Sequence, residues 1–115
     1  MHEYSIIQAL FERVEAEAAS RGATAVRRLQ VRIGEVAGVE IDLLRTAFDV
    51  FRERTLCSSA ELSIVPVPAR WECPRCSAPM ACGAALRCSA CAVPARLATG
   101  DEIVLDRIEM EVPNV

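Results

Sequence analysis

The chain of 115 residues contains no lysine, a single histidine and very few aromatic residues. Without lysine it can form neither a Schiff base nor the lysine contact of a P-loop, which excludes two large classes of enzyme. The one imidazole, that of His2, excludes catalysis by a metal held on several histidines. No segment approaches the run of roughly 20 apolar residues that a membrane helix needs, so we expect no membrane insertion.

The chain also has no strong net charge of either sign. The net charge is −3, which provides no global field to attract nucleic acid or an anionic membrane. The length allows one domain, or one domain with a small additional module. Apolar residues make up 52% of the chain, but eighteen of them are alanine, so the hydrophobic core is expected to be thin.

The first residues lack the basic and apolar segments of a secretory signal, and we therefore expect a cytoplasmic protein. Thiols are kept reduced in that compartment. Six cysteines in such a chain favour metal binding over disulfide bonds.

The N-terminal sequence predicts a helix over residues 5–21. Ser5 and Gln8 fit a capping box, and Gly22 is a natural helix end. Residues 1–3 precede this cap, and we expect them to be exposed to solvent. The apolar residues after the cap fall on one helical face: Ile6, Ile7, Leu10, Phe11, Val14 and Ala18.

Three strands and a second helix are predicted further along the chain. A half-buried strand is indicated by the alternation of Leu29, Val31 and Ile33 with polar residues. Residues 61–67 contain Pro66, which is typical of an edge strand, and residues 103–112 predict a longer strand. A helix is predicted over residues 40–54, with apolar residues on one side: Leu43, Leu44, Ala47, Phe48 and Phe51.

Residues 70–96 differ from the rest of the chain because they hold five cysteines and little aliphatic bulk. Such a stretch cannot form a core by itself and needs another source of stability. It contains two CxxC pairs separated by 11 residues, with the cysteines at Cys73, Cys76, Cys88 and Cys91. Four thiolates at this spacing predict a closed, structural Zn²⁺ site.

Other chemistries remain open for these cysteines. A disulfide within each CxxC pair is disfavoured by a reducing compartment, whereas iron competes with zinc for a soft thiolate site. Cys57 and Cys82 match neither pair and are expected to be ordinary small thiols.

A zinc ion with four thiolate ligands has no open position and activates no water, so an enzyme is not expected. The alternative function is a zinc ribbon that binds nucleic acid or regulates another protein. The four arginines between residues 70 and 96 are largely cancelled by the charge of the site, and Trp71 is the only aromatic residue there. Nucleic acid is therefore the less favoured partner.

The N-terminus combines three metal-binding groups within two residues. The α-amine, the backbone amide of His2 and its imidazole can close two chelate rings on one cation, and the amide or carboxylate of Glu3 can supply a fourth donor. Donors rich in nitrogen and lying in one plane suit Ni²⁺ or Cu²⁺. Histidine at position 2 is too large for normal removal of the initiator, so the amine is expected to be that of Met1.

The whole chain resembles the HypA/HybF family of nickel-insertion chaperones. The resemblance is carried by Met1-His2-Glu3 before an amphipathic helix, by the late CxxC pairs, and by residues 34–40, 47–49 and 100–102. It implies that Met1, His2 and Glu3 bind nickel, that the CxxC pairs bind zinc, and that Glu40 is associated with the nickel site.

The resemblance also implies a fold and a biological role. The expected fold is α+β, with two helices on a three-stranded mixed sheet and an inserted four-cysteine zinc ribbon. Residues 1–69 plus 97–115 would form the nickel-binding domain and residues 70–96 the zinc-binding domain. The protein would carry Ni(II) as cargo to the large subunit of NiFe-hydrogenase, together with the GTPase HypB. Urease is a second target in some members, and the resemblance leaves a homodimer open.

Overall fold

The computed structural model describes residues 2–80 and 87–113. Two helices and six strands follow in chain order: α1 His2–Arg21, β1 Ala25–Gly34, α2 Ile41–Phe51, β2 Glu61–Val67, β3 Arg70–Glu72, β4 Pro79–Met80, β5 Arg96–Thr99 and β6 Ile103–Glu111. Their packing divides the chain into two compact units. The first consists of Met1–Val31, Val39–Val65 and Val104–Val115, and the second of Arg32–Gly38 and Pro66–Ile103.

Helix α1 begins at His2, three residues before the predicted cap. Ser5 therefore lies inside the first turn, and the prediction of a capping box at Ser5 is wrong. The expectation that residues 1–3 are exposed is also wrong for Glu3, which is buried. An acidic residue in the first turn is favourable at the positive end of the helix dipole, and Glu3 also finds a partner in the tertiary structure.

The C-terminal end of α1 lies at Gly22, as the sequence predicts. Gly22 adopts a φ of 65°, which is unfavourable for other residues, and it follows the last helical residue, Arg21. The amide of Ala23 then donates to the carbonyl of Ala18 at 2.9 Å, which satisfies one of the terminal carbonyls.

Helix α2 packs against α1 through aromatic rings within the first unit. The ring of Phe11 lies 5.6 Å from that of Phe48 and 6.3 Å from that of Phe51, and Tyr4 lies 5.8 Å from Phe51. Such contacts stabilise the helix pair beyond simple burial of area. Leu43, which was predicted on the same side of α2 as Phe48 and Phe51, remains 41% exposed.

The larger sheet has the order β2-β1-β6, with β1 in the centre. Strands β1 and β2 are parallel. Arg28 forms an ion pair with Glu61 near the start of the two strands, and the amide of Glu35 donates a hydrogen bond to the carbonyl of Val67 near their ends. The prediction that β2 is an edge strand is confirmed, and Pro66 is tolerated there because an edge strand leaves some amides unpaired.

Strands β1 and β6 are antiparallel. The amide of Thr24 donates to Glu111 at 2.9 Å, and that of Gly34 donates to Glu102 at 2.8 Å. The sheet is therefore mixed, and the predicted fold class of two helices with a three-stranded mixed sheet is confirmed. The inward side chains of β1 are buried: Val26, Leu29, Val31 and Ile33.

A second, smaller sheet has the order β4-β3-β5 and lies in the second unit. Trp71 of β3 pairs with Met80 on one side and with Leu97 on the other. These strands are two to four residues long and carry no usable periodicity, so the sequence did not indicate them.

Two glycines allow three segments of the second unit to meet. A Cβ atom on Gly34 would lie 2.0 Å from the carbonyl oxygen of Gly100, and one on Gly100 would lie 2.6 Å from the Cα of Ala69. The Glu35 carboxylate accepts the amide hydrogen of Ala69 at 2.8 Å. The chain that enters and leaves the cysteine-rich segment is thus held by backbone contacts.

Candidate metal centres

The two CxxC sequences form the same backbone turn. The amide of Cys73 donates to the carbonyl of Ala78 at 3.0 Å, and the amide of Ser77 donates back to Cys73 at 2.9 Å. Fifteen residues later, the amide of Cys88 donates to Val93 at 3.0 Å and that of Ala92 donates to Cys88 at 2.8 Å. The repetition gives both pairs of thiols the same local geometry.

Each turn ends with a residue in the left-handed region. Ser77, directly after Cys76, has a φ of 62°, and Ala92, directly after Cys91, has a φ of 55°. This conformation costs an L-residue roughly 1–2 kcal/mol, and glycine would avoid the cost. Another interaction must therefore offset it, and the four thiols are the groups that these turns bring together.

All four predicted zinc ligands meet at one point. The sulfur atoms of Cys73, Cys76, Cys88 and Cys91 lie within 4.8 Å of one another, and those of Cys76 and Cys88 are 3.8 Å apart. A tetrahedral zinc site with Zn–S bonds of about 2.3 Å has S–S edges of about 3.8 Å. The described cysteines are free thiols, so the alternative of a disulfide within each pair is not what the structure contains.

Backbone amides surround the buried sulfurs. The amides of Arg75 and Cys76 point at the sulfur of Cys73 at 3.4 and 3.5 Å, and the amide of Cys91 points at that of Cys88 at 3.4 Å. These bonds favour the thiolate form. The hydrogen bond from the Cys76 amide has the largest effect, and with the bond from Arg75 it lowers the pKa of the Cys73 thiol to about 7 despite the burial of this residue.

The thiol of Cys91 differs from that of Cys73. The hydrogen bond with Cys76, followed by burial, raises the pKa of Cys91 to about 12. Further negative charges in the same place repel one another, so the backbone amides alone would not stabilise four thiolates together. A bound divalent cation is what would allow all four to ionise, and four thiolates in this geometry fit Zn²⁺.

Two of the three predicted nickel residues, His2 and Glu3, belong to the first turn of α1. Met1 lies outside the described residues, and His2 is the first residue of the helix. Amides in the first turn of a helix have no intrahelical carbonyl to pair with, so the backbone nitrogens at this position are not committed to the helix ladder.

Glu3 and Glu40 are brought together although 37 residues separate them. The Oε2 atom of Glu3 accepts the backbone amide hydrogen of Glu40 at 3.2 Å, and Glu40 is the residue immediately before α2. No local pattern in the sequence indicates this contact, because it depends on how the two helices pack.

Of the two remaining cysteines, the structure describes Cys57, which is not part of the four-cysteine cluster. Cys57 is buried, and burial raises the pKa of its thiol to about 11, with a further contribution from the charge of Glu15. It is the ordinary buried thiol that the sequence led us to expect. Cys82 lies outside the described residues.

Among the helices that the structure describes, none is long and apolar enough to cross a membrane.

Comparison with known proteins assigns the chain to a family. Residues 1–110 match HypA, described as "Hydrogenase/urease nickel incorporation, metallochaperone". A hydrogenase maturation factor HypA from Shewanella baltica is 36% identical over 113 residues, which cover 96% of this chain and 97% of that protein. One from Wolinella succinogenes is 39% identical over 115 residues, with 96% of each chain covered.

Two solved structures share the fold. The solution structure of the Ni metallochaperone HypA from Helicobacter pylori has a TM-score of 0.74 at 31% identity, covering 96% of this chain and 98% of that one. A second, described as the solution structure of HypA protein, has a TM-score of 0.81 at 32% identity and covers 98% of each chain. The match along nearly the whole sequence and the shared fold lead to one conclusion: this chain belongs to the HypA family of nickel metallochaperones.

Proposed function

We propose that this chain binds one Ni(II) ion at its N-terminus and delivers it during the maturation of NiFe-hydrogenase. The family is one of nickel incorporation, and the relatives named above are hydrogenase maturation factors. The observation that carries the assignment to the N-terminus is the start of α1 at His2, because the amides in the first turn of a helix have no intrahelical partner. His2 also supplies the only imidazole in the sequence.

The nickel ligands that we propose are the α-amine of Met1, the amide and imidazole of His2, and a donor from Glu3. Nickel with such donors favours a planar arrangement, in contrast to the tetrahedral sulfur site. Each site therefore prefers a different metal. Nickel is the cargo, and zinc is a permanent part of the protein.

The structural role of zinc is supported by the composition of residues 70–96. The described strands of the small sheet are short, and the two turns carry residues in unfavourable conformations. Metal binding would supply the folding free energy that this segment lacks. We propose residues 70–96 as the zinc-binding domain and residues 1–69 with 97–115 as the nickel-binding domain.

The partners follow from the family role. We propose that the GTPase HypB hands nickel to this protein or controls its release, and that the large subunit of NiFe-hydrogenase receives it in the cytoplasm. Urease is a second candidate acceptor, because the family description includes it. Metal transfer by such a carrier requires no catalytic step of its own, and we propose that the protein is not an enzyme.

An N-terminal extension tests the nickel site directly. Three residues, Gly-Ser-Gly, placed before Met1 move the α-amine too far from His2 to share a chelate with it and leave the cysteines untouched. The native chain should bind one equivalent of nickel, and the extended chain should lose most of its affinity. A chain extended by Gly-Ser-Gly after Val115 is the matched control and should bind as the native chain does.

Zinc content, measured on all three proteins, should be the same. Equal nickel binding by both extended proteins would place the site elsewhere. Failure of every form to bind nickel would favour the alternative function, a zinc ribbon that binds nucleic acid or regulates another protein.

A further inference from the structure

Strand β6 forms one edge of the three-stranded sheet, and no other strand in the part of the chain that the structure describes pairs with its outer side. It is nine residues long, from Ile103 to Glu111. The opposite edge, β2, is protected, because Pro66 has no amide hydrogen and the carbonyl of Leu62 accepts a hydrogen bond from the Arg45 side chain at 3.2 Å. An edge strand without such protection exposes backbone groups that can pair with another strand.

The backbone groups on the open edge of β6 include those of Ile108 and Met110. The carbonyl of Glu111 accepts the amide hydrogen of Thr24 at 2.9 Å, so the backbone of Glu111 faces the inner edge, towards β1. Successive residues of a strand direct their N–H and C=O groups to opposite edges. Met110 therefore directs these groups inward on neither side of β1 but outward, and Ile108, two residues before it, does the same.

The side chains of the same segment alternate in charge and exposure. Arg107 and Glu109 are exposed, whereas Ile108 and Met110 are half-buried. Neither Arg107 nor Glu109 forms an ion pair with another residue that the structure describes. Opposite charges thus flank Ile108 on both sides, and an identical strand that runs in the opposite direction presents the same two charges in the reverse order.

The charges select one register for two antiparallel β6 strands. With Ile108 opposite its own equivalent, Arg107 of each copy lies opposite Glu109 of the other. A two-fold axis at Arg107 or at Glu109 would place identical charges opposite each other, and an axis at Met110 would oppose Glu109 to Glu111. Opposite charges across a strand pair are favourable and like charges are unfavourable. The register centred at Ile108 is therefore preferred.

The helix side of β6 leaves room for the apolar side chains of a second strand. A groove of about 480 Å³ lies between α1 and β6. Ile108, Met110 and Val112 line one side of it, and Arg13 and Arg21 line the other. Val112 is 51% exposed. A strand added at this edge would remove part of this apolar surface from water, which is the main driving force of most protein association.

We propose that two copies of this chain associate through β6, antiparallel and centred at Ile108, and so join their three-stranded sheets into one. In this register the outward backbone groups of Ile108 in both copies face each other and can exchange hydrogen bonds. Arg107 and Glu109 then form a non-hydrogen-bonded pair, in which opposing side chains lie closest. The inference goes beyond the proposed function and does not depend on nickel binding.

Charge reversal tests the register. In sedimentation, the mass of the zinc-loaded chain should increase from 12.5 kDa towards twice that value as the concentration rises. Arg107→Glu and Glu109→Arg each oppose like charges twice, and each should weaken the dimer by about tenfold. The double variant restores opposite charges and should associate within about twofold of the native chain. Glu12→Arg, at an exposed position of α1, is the matched control for Glu109→Arg and should associate as the native chain does.

A backbone variant tests the strand pairing itself. Ile108→Pro removes an amide hydrogen that faces away from β1, so it should abolish the dimer while the ladder between β1 and β6 is kept. Ile108→Val retains the amide and is the matched control. Thermal unfolding and zinc content of every variant check that the fold is preserved. If Ile108→Pro does not fold, the charge-reversal variants still decide the outcome.

A chain that stays monomeric at every concentration would overturn the proposal. A dimer that is insensitive to both charge reversals would have its interface elsewhere, and failure of the double variant to recover would exclude this register. Nickel titration of the same variants is read separately. A native chain that dimerises as expected but binds no nickel would refute the proposed function alone, and a monomeric native chain that binds nickel would refute this inference alone.

Discussion

The sulfur atoms of Cys76 and Cys88 lie 3.8 Å apart, although twelve residues separate them in sequence. Four thiolates held this close together would repel one another, so ionisation of all four is unfavourable until a cation binds. The folding of this segment and its metal content are therefore expected to change together.

Replacement of Cys73 or Cys91 by serine should abolish zinc binding and unfold residues 70–96, while the helices of the first unit remain. The reason is that a three-thiolate site binds zinc less strongly and the segment has few apolar contacts of its own. Zinc content and amide dispersion in NMR spectra provide the measurement. Cys57→Ala is the control and should retain zinc. Unchanged dispersion in metal-free protein would contradict a structural role for zinc.

His2→Ala should abolish specific nickel binding and hydrogenase maturation while the free energy of unfolding stays within about 0.5 kcal/mol of the native value. The substitution removes the only imidazole but leaves the helix backbone intact. Nickel titration and thermal unfolding measure the two effects. Retention of one equivalent of nickel with an unchanged spectrum would locate the site outside the N-terminus.

Nickel affinity should rise as the pH rises from about 6 to 8. In unperturbed form the pKa of an imidazole is about 6.5 and that of an α-amine about 7.7–8.0, and both groups must lose their protons to bind the metal. Nickel binding should therefore release protons, and acidification should release nickel. Isothermal titration in buffers of different ionisation enthalpy counts those protons. An affinity that stays flat over this range would exclude the amine and imidazole as ligands.

Gly34→Ala should destabilise the second unit by about 3 kcal/mol or more, because the new Cβ atom would meet the carbonyl of Gly100 at 2.0 Å and the backbone would have to move. Gly38→Ala is the matched control. Gly38 has a φ of 75° but open space around it, so its substitution should cost only about 1 kcal/mol. Urea unfolding of both variants measures the difference. Equal losses of unfolding free energy in the two variants would mean that the backbone of Gly100 does not pack closely against Gly34.

The Cys57 thiol should stabilise the fold only below alkaline pH. Burial, with the charge of Glu15, raises its pKa to about 11, whereas an exposed cysteine has a value near 9.0. A raised pKa means that the neutral thiol is favoured in the folded state, so its contribution is complete below pH 9 and is lost as the pH rises towards 11. Unfolding curves of the native chain and Cys57→Ala should converge over that interval. A constant difference between them would contradict the assignment.

The sequence predicts well wherever the determining contacts are local. The apolar stripe of α1, the glycine that ends it and the spacing of the CxxC pairs all identify their structures, because periodicity and chelate spacing act over a few residues. The start of α1 could not be predicted in this way. Ser5 and Gln8 satisfy a local rule, but the contact between Glu3 and Glu40 is made by residues 37 positions apart.

Leu43 shows a related difficulty. An apolar residue near the edge of a helical stripe is as compatible with exposure as with burial, and which of the two occurs depends on where the neighbouring helix lies. The small sheet was missed for another reason: two to four residues are too few for any alternation to be recognised.

The distribution of aromatic residues has a practical consequence. The only tryptophan, Trp71, lies in the central strand of the small sheet. The only tyrosine, Tyr4, directly follows Glu3 in α1 and contacts Phe51. The first unit therefore contains the tyrosine, and the second unit contains the tryptophan. Excitation at the red edge of the spectrum, where tyrosine does not absorb, follows the cysteine-rich unit alone. Tyrosine emission reports the first turn of α1, so loading of the two metals can be monitored in one unlabelled sample.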